Sequence, residues 1–254
     1  MRTRIIILAA GKGTRMNHTD IPKVLIPFEG KPMIRHLLDT VKESGVDGRP
    51  IIVTGYQAEL VEKTLGDAYD YVRQAEQRGT GHAVQCAEKL LAGKADQILV
   101  LYGDHPFVKA STITALRALH ERERCPLSLM TVRVEDFDGW RAPFADFSRI
   151  IRDDRGRIVA DVQVRDVTPE QLAIRELNPA FFCFDAAWLW PHLRLITDHN
   201  AKTEYYLTDL VRMAIDEDAC VASMEIEPRE SIGLNTPGHL ELAPRRFTDP
   251  SAAQ

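Results

Sequence analysis

Four consecutive apolar residues, Ile5-Ile6-Ile7-Leu8, run directly into Ala9-Ala10-Gly11-Lys12-Gly13, and this junction restricts the fold more than any other part of the chain. A continuous apolar block suits a parallel strand buried on both faces, because a strand with one wet face would alternate. The glycines then end the strand abruptly. Gly11 and Gly13 let backbone amides approach a ligand, while Lys12, Arg15 and Lys23 gather cations just beyond the strand's C-terminal end. Such a loop fits a phosphate chain, since Arg holds two oxygens through its planar fork and Lys adds a mobile point charge.

Two familiar nucleotide loops do not match. The phosphate-cradling loop needs four residues between its glycines, followed by Gly-Lys-Ser/Thr, and that spacing is absent. The dinucleotide fingerprint needs a third glycine where Met16 stands, and Asp20-Ile21-Pro22 interrupts the helix that should follow. Hydride transfer is therefore not the expected chemistry.

Beyond the loop, strand and helix patterns alternate. Helices are predicted over residues 32–45, with Met33, Ile34, Leu37, Leu38 and Val41 at helical spacing, and over 57–65, 82–91 and 111–122. Strands are predicted at 50–54, 69–73 and 97–101. The order implies an α/β fold with a mostly parallel central sheet flanked by helices, and ligands at the strands' C-terminal ends. A β-rich stretch follows at 127–134, 147–153 and 157–163, the last two joined as a hairpin, and it reads as an inserted region. A strand at 178–184, helices at 186–195 and 204–215, and a strand at 221–226 complete the pattern. Residues 1–236 form the expected domain, and 237–254 a short helix or extended arm with a disordered end.

With 254 residues and 44% hydrophobic composition the chain can bury a sizeable core. Its net charge of −5 argues against general binding to nucleic acid or an anionic membrane, so local cation clusters must do any phosphate binding. The expectation is a cytoplasmic protein without a signal peptide or membrane span, because the first apolar run is too short for either. Cys86, Cys125, Cys183 and Cys220 are scattered without metal spacing, and buried free thiols are expected rather than a zinc site. The histidines are expected to be structural or surface residues.

Two later segments carry chemistry. Asp104, in Leu101-Tyr102-Gly103-Asp104-His105-Pro106, follows an apolar strand and so stands where the site should begin. It is the best candidate for holding Mg²⁺, a hard cation gripped through few protein oxygens, although Asp before Pro106 could also be a plain turn residue. The run Gln74-Ala75-Glu76-Gln77-Arg78-Gly79-Thr80-Gly81-His82-Ala83 brings amides and glycines to a helix start. A Gln side chain offers a donor and an acceptor to the O4 and N3–H edge of uracil or thymine; a polar flexible loop is the bland alternative.

In order, LAAGKGTRM, PKVL, QAEQxGTGHA and the Gly-Asp-x-Pro turn resemble the sugar-1-phosphate nucleotidylyltransferases. The resemblance is nearest to the uridylyltransferase domain of the bacterial bifunctional enzyme that makes UDP-N-acetylglucosamine, and it continues to Thr236. Glu176-Leu177-Asn178, Glu204–Asp209 and Gly233-Leu234-Asn235 also match. The resemblance implies a GT-A-like core with an inserted sugar-binding region, UTP and a sugar 1-phosphate as substrates, and Mg²⁺ as cofactor. It assigns Leu8, Ala9, Ala10, Gly11, Lys12, Gly13, Gln74, Gln77, Gly79 and Thr80 to the nucleotide, and Arg15 and Lys23 to the phosphates. Asp104 and Asn235 would hold the metal, and Gly103, Ser148, Gln163, Asn178 and Glu204 would face the sugar. Homo-oligomerisation is left open, and the family's acetyltransferase half is not expected, since a β-helix needs many hexapeptide repeats.

Three departures fall on the sugar side. Ser148 replaces the family's Gly before Arg149-Ile150, Gln163 replaces its Glu, and Pro179-Ala180 replaces its Thr/Ser-Gly. An amide is a weaker acceptor for sugar hydroxyls than a carboxylate, so a changed or relaxed sugar preference is expected. Another base or acceptor, with dTTP or CTP as donor, and a non-catalytic sugar-nucleotide sensor stay open as alternatives.

Overall fold

The computed structural model describes residues 1–16, 20–200 and 202–246. The first half alternates: β1 (Thr3–Ala9), a small ribbon of β2 (Pro27–Phe28) and β3 (Lys31–Pro32), α1 (Met33–Ser44), β4 (Ile51–Thr54), α2 (Ala58–Leu65) and β5 (Asp70–Arg73). Then come α3 (Thr80–Cys86), α4 (Glu88–Leu91), β6 (Gln97–Tyr102) and α5 (Ala110–Glu123). The second half contains β7 (Leu127–Arg133), β8 (Ser148–Arg152), β9 (Ile158–Val162), α6 (Pro169–Leu172), β10 (Glu176–Asn178) and β11 (Phe182–Asp185). It closes with α7 (Ala186–Leu193), α8 (Asp209–Asp216), β12 (Val221–Ile226) and α9 (Pro237–Arg246).

Apart from the ribbon, the strands form one sheet in the order β5-β4-β1-β6-β11-β7-β10-β8-β9, with β12 on the other edge of β7. β5, β4, β1 and β6 are parallel neighbours, and β7 and β12 pair in parallel. The apolar block of β1 behaves as its pattern demands. Ile5 and Ile7 enter the core covered by Leu37, Leu38, Ile113 and Leu116, while Ile6 and Leu8 enter the opposite core with Ala83, Leu189 and Leu210. Both faces of the strand are dry, so no residue in it needs to be polar.

The 147–163 hairpin forms as β8 and β9, but it extends the main sheet through β10 instead of standing apart. The single strand expected at 178–184 is two pieces. Before the break it lies between β7 and β8, and after it between β7 and β6. Ala180, at φ +65°, makes the switch. The helix expected over 204–215 begins only at Asp209, because backbone groups before it bond another loop: Tyr205 N–H donates to Arg78 O and Gly81 N–H to Tyr205 O, both at 2.8 Å.

One expectation about the cysteines is overturned. Cys125 and Cys220 form a disulfide, and only Cys86 and Cys183 are free among the described residues. The register explains the pairing, since β12 meets β7 with Val221 opposite Leu127, and the residues leading into both strands converge. Among the described residues no helix is long and apolar enough to cross a membrane. Leu240 of α9 packs on the core; the end of the expected tail, 247–254, lies outside the described residues.

Candidate active site

The C-terminal ends of β1, β4, β5 and β6 converge, as an open parallel sheet requires of its ligand site. Two cavities meet there. The first, about 470 Å³, is lined by Leu8, Ala9, Ala10, Gly11, Gly13, Arg15, Lys23, Gln74, Gln77, Gly79, Thr80, Glu204, Asp104 and Asn235 with four further residues. The second, about 460 Å³, is lined by Ser148, Gln163 and Asn178 among others, and shares Arg15, Tyr102 and Asn235 with the first. Sequence positions 220 residues apart are thus drawn to one junction: Arg15 donates to Asn235 Oδ1 at 3.1 Å.

Lys23 is the pivot of that junction. Proline 22 precedes a short 3-10 turn, Lys23–Leu25, that buries the lysine and directs Nζ to Asn235 Oδ1 at 2.6 Å and to Asp104 Oδ2. The glycine loop closes over its stem. Gly13 has φ +70°, and a Cβ there would sit 2.5 Å from Lys23 Cβ, so this glycine is needed as much for the lysine as for any phosphate. Asp104 leaves the end of β6, and Leu234 N–H donates to its carbonyl at 2.9 Å, which brings Asn235 alongside.

Burial alone would raise the Asp104 carboxyl. The charges of His105 and Lys23, and the hydrogen bonds from both, outweigh burial and hold it well below the usual carboxylate range. The group is therefore an anion at neutral pH. The Asp104 carboxylate and the Asn235 amide oxygen are hard donors of the kind such an ion takes, and Lys23 Nζ, which now donates to both, would have to give up part of that contact to it. Among the described residues no cluster of three or more His, Cys, Asp or Glu could hold a metal, so the remaining ligands would have to be water or substrate oxygens.

The segment expected to hold the nucleotide is built from β5 into α3. Gln74 is buried; its N–H donates to Thr54 O at 2.7 Å and its side chain Nε2 to Gly79 O at 2.9 Å. Gln77 Nε2 reaches Gln74 O at 3.3 Å. Thr80 Oγ1 accepts from Leu207 N–H at 3.0 Å, which ties α3 to the 204–207 loop.

Some expected residues stand elsewhere. Lys12 is exposed, with Nζ 5.3 Å from the Tyr56 ring centre, and lines neither cavity. Gly103 also lines neither; its Cβ would meet Val24 Cγ1 at 3.1 Å, and its N–H donates to Leu8 O at 2.9 Å, so it packs the site from behind. Glu204, expected near the sugar, lines the first cavity instead.

The second cavity opens on a row of side chains. Asn178 pairs with Ser148 across β10 and β8, and Gln163 continues the β8–β9 register beyond Val162, the partner of Arg149. Gln163 Nε2 donates to Thr208 Oγ1 at 3.3 Å. Arg149 is itself buried; it donates to Ala145 O at 3.2 Å and to Phe147 O, anchoring the turn that walls this cavity.

Sequence reasoning missed His105, whose Nδ1 lies 2.8 Å from Asp104 Oδ1, although adjacency to the candidate ligand was a usable signal. It also missed Asp161, which shares the Gln163 face of β9 because side chains two apart point the same way. Burial pushes the Asp161 carboxyl up to about 6; nearby Ser148 and Asn178 oppose this through hydrogen bonds, and Asp209 adds to it. A folded value above the unfolded one means that protonation favours the fold, so this group's ionisation destabilises the protein as pH rises through 6. The stability of Asp161→Asn relative to the parent should therefore be more favourable at pH 8 than at pH 4 by about 2 kcal/mol, as read from denaturant unfolding. An equal difference at both pH values would contradict it.

Comparison with known proteins bears on this architecture. A profile of the MobA-like NTP transferase domain matches residues 5–205. The chain is 38% identical over 243 residues to the bifunctional protein GlmU of Pelobacter propionicus, covering 94% of this chain and 51% of that protein. It is 39% identical over 231 residues to GlmU of an Exiguobacterium species, covering 91% and 49% respectively. The chain thus spans about half the length of these relatives. Among solved structures, one described as a glucose-1-phosphate thymidylyltransferase from Bacillus anthracis in complex with a sucrose superposes with a TM-score of 0.76 at 19% identity, covering 97% of this chain and 96% of that one. A UDP-glucose pyrophosphorylase with UDP-glucose gives a TM-score of 0.70 at 19% identity, covering 88% and 91%. At such identities the likeness is one of fold.

Proposed function

The chain belongs to the MobA-like NTP transferase domain family, and from that premise we propose that it condenses UTP with a sugar 1-phosphate, releasing pyrophosphate and a UDP-sugar. The observation that carries this reading is that two cavities share Arg15 and Asn235, with Lys23 and Asp104 bonded beside Asn235 in the first cavity, Gln74 and Gln77 further along that cavity, and the polar row Asn178, Ser148 and Gln163 in the second. The likeness to GlmU proteins over more than nine-tenths of the chain supports this reading.

The reaction is in-line attack of the sugar phosphate oxygen on the α-phosphorus of the triphosphate. A phosphate monoester has a second pKa of about 6, so it is already an anion at neutral pH and needs no general base. No protein nucleophile is needed either. The obstacle is the repulsion between two anions, and Arg15, which lines both cavities, and Lys23, which is bonded to the shared Asn235, offset it. Asp104 and Asn235 would hold Mg²⁺, which when bound supplies further neutralisation of phosphate charge.

The test is Mg²⁺-dependent pyrophosphate release from four nucleoside triphosphates against a panel of sugar 1-phosphates. UTP is expected to be the preferred donor. Because Ser148, Gln163 and Pro179-Ala180 depart from the N-acetylglucosamine pattern, some other sugar phosphate should be turned over better than N-acetylglucosamine 1-phosphate. N-acetylglucosamine 1-phosphate equalling or beating every other acceptor would refute the sugar assignment, and preference for dTTP or CTP the base assignment. UTP binding without pyrophosphate release from any acceptor would replace catalysis with sensing.

A further inference from the structure

We propose that Asp161 is the positioning residue of the acceptor cavity in this chain, acting through the amide of Asn178 to set which polar groups face the sugar. This inference rests on reading that cavity as the sugar 1-phosphate pocket.

The geometry leaves the Asn178 amide one orientation. Its Oδ1 accepts from Ala180 N–H at 2.7 Å, and its Nδ2 donates to Asp161 Oδ2 at 2.7 Å. Turning the amide over would place a donor against an N–H and an acceptor against a carboxylate. A side-chain amide has two N–H groups and two lone pairs, so one of each remains for a ligand, and Asn178 lines the cavity. The backbone break at Ala180 belongs to the same device, because it turns the N–H of that residue toward Asn178.

Asp161 is a costly way to build a strand. Its Oδ2 takes the Asn178 amide, but its Oδ1 is buried without a partner at hydrogen-bond geometry among the described residues, so the neighbouring Ser148 hydroxyl offsets the burial only in part, and Asp209 at the start of α8 lies close enough to repel it. An apolar residue at this point would suit the packing of α8 on β9, since a buried polar atom without a partner opposes folding. Groups that break a local folding rule in this way concentrate where function requires them. On the same face of β9, Gln163 carries an amide where the resembling enzymes carry a carboxylate, and Asp161 returns that negative charge one pleat further back.

Steady-state kinetics of the full chain with Mg²⁺ and UTP test this. The acceptor is whichever of N-acetylglucosamine 1-phosphate, glucosamine 1-phosphate and glucose 1-phosphate the parent uses best. Asp161→Leu removes the acceptor for Asn178 and should raise the KM for the sugar phosphate roughly tenfold, with kcat and the KM for UTP almost unchanged. Asp161→Asn keeps one oxygen for Asn178 Nδ2 and should restore the KM to within about threefold of the parent. An unchanged acceptor KM in Asp161→Leu overturns the inference, as does a parallel rise in the KM for UTP or an Asp161→Asn as impaired as the leucine variant. A parent enzyme that releases no pyrophosphate with any acceptor overturns the functional reading and this inference with it.

Discussion

Asp104→Ala should lose Mg²⁺-dependent pyrophosphate release by at least about 10³-fold, a larger deficit than one misplaced hydrogen bond could produce. Three features of the residue lead to this. It lies just beyond β6 in the first cavity, beside Asn235, which lines both; it is ionised because His105 and Lys23 outweigh its burial; and it is the sole carboxylate paired with the Lys23 ammonium there among the described residues. Alanine would also leave Lys23 buried with Asn235 Oδ1 alone as its acceptor, so some stability should be lost as well. Asp104→Asn separates the effects. It keeps an oxygen for Lys23 Nζ while removing the charge, and should be nearly as inactive as alanine but more stable in thermal unfolding. Near-normal pyrophosphate release by either variant would refute the role given to Asp104.

How much of this was legible in the sequence depended on whether the signal was local. The apolar block of β1 announced a strand buried on both faces, and the division of Ile5 and Ile7 from Ile6 and Leu8 between two cores bears that out. Lys23, Asp104 and Asn235 could be named singly, but their meeting depends on Leu234 N–H reaching the Asp104 carbonyl, a contact that no spacing encodes. The late start of α8 was hidden for the same reason. Residues 204–207 have a helical pattern, yet their backbone groups are committed to Arg78, Thr80 and Gly81. Cys125 and Cys220 looked scattered because only the β7–β12 register brings them together. Asp161 was passed over because a lone Asp in a strand pattern reads as solvated, and its burial is imposed by α8 and by the row of Ser148 and Asn178.

Gly79→Ala should damage the proposed nucleotide side severely. Gly79 adopts φ +103°, where side chains are strained, and its new Cβ would lie 2.6 Å from Tyr205 O and 2.7 Å from Tyr205 N. Those atoms are backbone and cannot swing aside, so the 204–207 segment must move. It would take with it the bonds from Tyr205 N–H to Arg78, Gly81 N–H to Tyr205 and Leu207 N–H to Thr80. A loss of roughly 2–4 kcal/mol in unfolding free energy is expected, together with a KM for UTP raised tenfold or more. Gly11→Ala makes the contrast, since nothing lies within 4 Å of its Cβ and its backbone is unstrained. That variant should unfold at nearly the parental temperature and still bind UTP poorly, because its methyl projects from the loop that must approach the phosphates. A Gly11→Ala that binds UTP normally would place the phosphates elsewhere, and a Gly79→Ala of parental stability would mean that the 204–207 loop is not held as described. On the proposed reading the two glycines have separate duties: Gly11 would admit the ligand, whereas Gly79 admits the protein's own backbone at Tyr205.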